Sequence, residues 1–287
     1  MLKGLLIDAT LKRYGLPPWM KEYVQEYLKG SEVGAARYAI SFISVGRKKG
    51  VVTKTEIVLP NGKRFRKDQI AHLLSLFYYG ECRLSRISWS WSIDNGHDME
   101  MARHFGAMHL VEVRRARAIK NLIEAFGYKV EDPSDELKDV FDYVEQLRTS
   151  QERVVAKKIF LNYAYAQPFG QVFYKAFYPV SPEYMRSFGK EFSIRSADAI
   201  YGERSAENII VRGEIDTQKL LELATEILVR VARSIDAELP RARKAGIERE
   251  ALLLRNIAVA YPFHRLKELG VDLDVKREIA NVKRKAR

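Results

Sequence analysis

The chain has 287 residues, 47% hydrophobic and 30% charged, a balance that suits a core-forming domain and excludes a disordered or collagenous chain. No run approaches the roughly 18–20 apolar residues of a membrane-crossing helix, and Cys82, the single cysteine, rules out an internal disulfide and a thiolate zinc cluster. Lys and Arg number 49 against 37 Asp and Glu, a net charge of +12, which admits a nucleic-acid partner and is met equally by a solvated lysine-rich surface. The opening residues, MLKGLLIDATLKRYG, have a short apolar patch and no small-residue cleavage site, so we read no signal peptide and expect a cytoplasmic location. Residues 1–30 read as helical, with Pro17 and Pro18 at a helix start and Gly30 at its end. TEIVLPNGKRFRK (55–67) has the form of a β-hairpin, since Pro60-Asn61-Gly62 separates two short extended runs.

Four long helical segments follow. The first, about 67–92, places Ile70, Leu74, Phe77, Glu81, Leu84, Ser88 and Trp91 on one face. The second, about 98–126, carries Met101, Phe105, Met108, Glu112, Arg115, Ile119, Leu122 and Phe126 on one stripe and ends at Gly127. The third begins near Asp132-Pro133, with Asp132 as N-cap, and runs to about Gln167; Arg148, Glu152, Val155 and Ile159 share a face. The fourth begins near Ser181-Pro182-Glu183 and aligns Tyr184, Phe188, Glu191, Arg195, Asp198 and Gly202. After Gly213, TQKLLELATEILVRVARSIDAEL is a fifth helix, and REALLLRNIAVAYPFHRLKELG adds one or two short ones. The last stretch, VKREIANVKRKAR (275–287), holds six Lys and Arg and one Glu and reads as a frayed basic tail. Lys283, Arg284, Lys285 and Arg287 are its candidates for nucleic-acid contact.

Each of the four helices carries a carboxylate on its apolar stripe: Glu81, Glu112, Glu152, and Glu191 or Asp198. A buried carboxylate is costly unless paired or bound to a metal, and four helices each offering one describe a di-metal carboxylate bundle. The stretch ISWSWSIDNGHDMEMARHFGAMHLVEVRRARAIKNLIEAFGY (87–128) gives this layout a family. It resembles the ferritin-like superfamily, and within it the subunits of phenylacetyl-CoA oxygenases. Trp89 and Trp91 precede the loop, Glu112 stands at the Glu of the family's Glu-x-x-His, and LIEAFG closes the helix. The resemblance covers roughly residues 65–205 as an order of helices. It implies an all-α fold: a ferritin-like four-helix bundle (67–206), an N-terminal helix and small β-hairpin (1–66), and a C-terminal helical extension (207–287).

The departures from that pattern shape the functional expectation. Arg115 stands where the second helix would carry its histidine, and the fourth helix offers Arg195 and Asp198 before Gly202. Arginine has no lone pair for a metal but binds carboxylates through two parallel hydrogen bonds. The resemblance therefore implies a degenerate site in which Arg115 and Arg195 bridge core carboxylates, as in family members that keep the bundle without the irons. Five stripe acids (Glu81, Glu112, Glu152, Glu191, Asp198) against those two arginines leave an excess of three negative charges, of which Arg148 could cancel one. The leading expectation is a non-catalytic structural or binding subunit without a metal, working as a homodimer or with an oxygenase-like partner. The alternative is a non-standard oxidoreductase with a single iron or manganese held by Glu81, Glu112, Glu152 and His109 or Asp198, with di-iron the less favoured form. His104 reads as a surface partner of Glu100, and His72, His97 and His264 show no partner at ligand spacing. The aromatic stretch 162–179 reads as core or interface, broken by Pro168 and Gly170. No Gly-rich phosphate loop, Ser/His/Asp set or Cys/His pair is present. The Arg, Lys and Glu content would suit a thermophile.

Overall fold

The computed structural model describes residues 50–58, 64–170, 180–181, 197–244 and 248–287. These are mostly helical, with one small sheet. The sheet holds β1 (Gly50–Val52), β2 (Glu56–Val58), β3 (Arg64–Arg66) and β4 (Val180–Ser181) in the order β3-β2-β1-β4. β2 and β3 form the expected antiparallel pair, with Ile57 opposite Phe65, while β1 adds an antiparallel strand and β4 a parallel one. The Pro60-Asn61-Gly62 turn lies outside the described residues, as does the helix expected over residues 1–30.

The first two of the four long helices expected from sequence hold closely. α1 (Lys67–Asp94) and α2 (Met99–Ala125) lie side by side. Asp98 caps α2, its carboxylate accepting from the N–H groups of Glu100 and Met101 at 3.1 Å each. At the other end Gly127 turns left-handed (φ 85), so its N–H reaches Glu124 O and that of Tyr128 reaches Ile123 O. This is the paired-bond C-terminal cap that glycine accommodates without strain.

The third helix divides where the sequence reading ran straight through. α3 is Asp135–Glu145, capped by Ser134 rather than Asp132. The Ser134 hydroxyl, two residues on, accepts from the Leu137 N–H at 3.4 Å. A second start follows: Thr149 and Glu152 form a reciprocal capping box that opens α4 (Ser150–Lys157). α4 passes without a gap into a π-helical segment, Lys158–Gly170. Ser181, expected to begin the fourth helix, is in β4; residues 182–196 are outside the described set, and α5 (Ala197–Val211) runs past the expected end of the bundle. α6 (Thr217–Lys244) is the fifth helix, α7 (Glu248–Glu268) is one helix of 21 residues, and α8 is Val275–Ala286.

α8 corrects the reading of a frayed basic end. Asp274 caps it, and Val275, Ile279 and Val282 are buried against the rest of the molecule. The apolar residues fall three to four apart and leave the cations on the other side. Among the described residues no helix is long and apolar enough to cross a membrane.

The core is in two parts. A large cluster joins Leu84, Ile87, Trp91 and Phe105 to α3, α4, the π-helical segment and α5–α8. A smaller one packs Ile57 of the sheet on Ile70 and Leu74 of α1 and on Ile119, Leu122, Ile123 and Phe126 of α2. Between them, along the α1–α2 pair, lies a band of polar side chains.

Candidate functional site: a buried charge layer

The band is built at the middle of α1 and α2, where the apolar stripes carry Glu81, Ser85 and Ser88 on one helix and His109, Glu112 and Arg115 on the other. Glu112 is its centre and is 1% exposed. Ser88 donates to Glu112 Oε2 at 3.0 Å. Lys157, the last residue of α4, places its ammonium 2.8 Å from Glu112 Oε1 and donates to Ser88 Oγ at 2.7 Å. The Lys157–Glu112 contact is an ion pair rather than an aligned hydrogen bond, since Oε1 accepts none. A charge pair depends on distance far more than on angle, so the attraction stands without that alignment. All three side chains are buried.

α4 is positioned for this by three successive contacts along one face. Ser150 hydrogen-bonds Asn95 in the α1–α2 turn. Arg153 pairs with Asp94 at 3.0 Å and lies over the Trp91 ring at 5.4 Å. Lys157, one helical turn further, then reaches Ser88 and Glu112.

Glu81 lies within the same field. Burial pushes its carboxyl up to about 7; Arg115 opposes the shift, Glu112 adds to it and Lys157 opposes it. The nearest charge is therefore shared: Glu81 takes up a proton near neutrality instead of adding a full negative charge to the layer. His104, read from sequence as a surface residue, is buried and pushed down to about 4 by burial and by the Lys157 charge. It is neutral at pH 7. His109 turns away from Glu112: its Nδ1 lies 2.9 Å from Ser85 Oγ and 3.0 Å from Ser85 O, and its ring lies against Trp89.

Glu152 and Arg148 do not enter the layer. Glu152 accepts from the backbone N–H and hydroxyl of Thr149 and pairs with Lys219 at 2.8 Å, and Arg148 is exposed in the loop before α4. Glu191 and Arg195 lie outside the described residues, and Asp198 is placed only as the second residue of α5. The excess of three negative charges therefore does not arise among the described residues. Glu112 and Glu81 face Lys157 and Arg115. Lys157 is the member that sequence reasoning missed. Its trace is VVAKKIF, two lysines inside an otherwise apolar helical run, and the Thr149-x-x-Glu152 capping box would have removed Glu152 from the candidates.

The second of those lysines builds a separate, partly buried group. Lys158 lies 3.3 Å from Glu207 Oε1 on α5, which also accepts from Tyr163 OH at 3.0 Å and from Arg265 at 3.4 Å. Burial alone would raise Glu207, but Lys158, Tyr163 and Arg265 hold it below its usual range. His72, which showed no partner at ligand spacing in sequence, bridges Glu131 at 2.7 Å and Glu238 at 2.8 Å beside Arg241. Of the tail candidates, Arg284 bonds Asn281, Lys285 lies 3.6 Å from Glu226, and Lys283 and Arg287 complete the basic side of α8.

Among the described residues no group of three His, Cys, Asp or Glu side chains converges as a metal-binding set. No family model, curated protein or solved structure matches the chain.

Proposed function

We propose that the chain is a ferritin-like four-helix-bundle protein in which a salt-bridge network takes the place of the metal centre, and that it serves as a non-catalytic structural or binding subunit. The observation that carries this reading is the Lys157 ammonium held between Glu112 and Ser88. A cation is required there because Glu112 is buried, and the protein supplies one covalently. The described residues of the layer do not favour a resident iron or manganese: Glu112 Oε2 accepts from Ser88, its Oε1 faces the Lys157 ammonium, Arg115 stands at the histidine position, and His109 is turned to Ser85. A fixed ammonium has no redox chemistry and no open coordination position, so the layer positions helices and turns nothing over. The aliphatic stem of Lys157 also lets it cross from α4 to α1 and α2 within an apolar surround.

An anaerobic titration with ferrous ion, followed by admission of air, tests the reading. The expected result is no saturable uptake and no oxygen consumption above the protein-free blank. Stoichiometric uptake that is lost in Glu112→Ala would overturn it.

A further inference from the structure

We propose that the outer face of the α1–α2 pair is a docking surface for an acidic amphipathic helix of a different protein chain; this rests on the reading of the protein as a binding subunit. α2 carries a second stripe with the same +4/+3 spacing as its core stripe, facing outward: Met99, Arg103, Gly106, Leu110, Val113 and Arg117. Met99 is 77% exposed and Leu110 68%, and from α1 Trp89 (52%) and Ile93 (63%) flank the same side. Trp89 is fixed to α2 through the His109 ring at 5.2 Å. Gly106 adds no side chain of its own beside Ser92, whose Oγ an added Cβ would only touch, at 3.4 Å. The result is an apolar trough along two helices, with a small residue in its floor.

Charge selects the occupant. Arg103 and Arg117 are exposed on either side of Leu110 and Val113, and neither has an ion pair among the described residues. They are fourteen residues apart, about 21 Å along the helix, so one face of a partner helix of similar length meets both if it carries acids two heptads apart. A second copy of this chain is a poor occupant. Packed antiparallel about Leu110, a two-fold pair sets Arg103 against Arg117; packed parallel, it sets each arginine against itself. An anionic bilayer is opposed by Asp98 and Glu100 beside Met99 at the start of α2. Nucleic acid would bring its phosphates onto Trp89, Ile93, Leu110 and Val113, which have nothing to offer them. An acidic helix with an apolar stripe satisfies both the trough and its ends.

The test uses the full chain and a synthetic 21-residue helical peptide with Leu on its a/d stripe and Glu at the two positions facing Arg103 and Arg117. A second peptide with Lys at those positions, phosphatidylglycerol-containing vesicles and a 20-base-pair duplex complete the set, all read by calorimetry. The expected result is saturable binding of the Glu peptide, at least tenfold tighter than the Lys peptide. Leu110→Ser should weaken it at least tenfold, and Arg103→Glu with Arg117→Glu should reverse the preference. Equal binding of both peptides, no binding, tighter binding of vesicles or duplex, or self-association abolished by Leu110→Asp would each overturn the proposal. These positions are exposed, so the variants keep the wild-type melting temperature. A failure here leaves the Lys157–Glu112 coupling intact, and loss of that coupling with the peptide preference retained would overturn the core reading alone.

Discussion

Replacing Lys157 by methionine isolates the charge at the centre of the layer. Methionine keeps an unbranched apolar stem and removes the ammonium, while the 3.0 Å hydrogen bond from Ser88 to Glu112 remains. Glu112 is 1% exposed, so water does not replace the lost cation. Breaking a buried pair in this way costs about 3–5 kcal/mol. At about 2–4 °C per kcal/mol for a chain of a few hundred residues, the melting temperature should fall by roughly 6–20 °C. The double variant Lys157→Met/Glu112→Leu removes both charges and should recover most of that loss, because two apolar side chains of similar volume need no counter-charge. Urea unfolding of wild type, Lys157→Met, Glu112→Leu and the double variant gives the coupling energy directly. A Lys157→Met variant within about 0.5 kcal/mol of wild type, or single-variant losses that simply add, would refute the argument that this pair closes the layer.

Other consequences follow from the same contacts. Glu81 holds its proton up to about pH 7 in the folded state, against a usual value near 4.3 when unfolded. Its contribution to stability is therefore present at acid pH and is lost as pH rises between these values. Glu81→Gln should thus be more stable than wild type at about pH 8, with the advantage fading toward pH 5; an advantage that grows on acidification would contradict the assignment. Ile279→Ala in α8 should cost about 2–5 kcal/mol by chemical denaturation, whereas a frayed tail would show no change. Thr149→Ala should cost about 0.5–2 kcal/mol through loss of the α4 cap; no measurable change in the urea midpoint would mean that α4 is held by its later contacts alone.

The parts of the fold legible in sequence were those where local chemistry and tertiary packing agree. Asp98 and Gly127 bound α2 because a cap acceptor and a left-handed glycine act within a few residues of themselves. The break between α3 and α4 was written in Thr149-x-x-Glu152 but was overridden by a periodicity that continues across it. Glu152 falls on the apparent core stripe for the same reason, since a carboxylate at the third position of a capping box and one on a buried stripe look alike in spacing. Glu112 was legible as a buried charge because it interrupts an apolar stripe. Its partner was not, because Lys157 comes from another helix, and pairing across helices is set by how α4 docks on Asp94, Asn95 and Trp91. The docking of α8 is hidden for a simpler reason: high charge dominates its composition, while Val275, Ile279 and Val282 supply the apolar edge.

Quantifying iron and manganese in the full chain, purified without chelator from cells grown with both metals, tests the central claim most directly. Lys157 as the resident cation predicts that both metals stay far below one per chain and do not change in Glu112→Ala. Iron or manganese near one or two per chain, lost in Glu112→Ala, would contradict it.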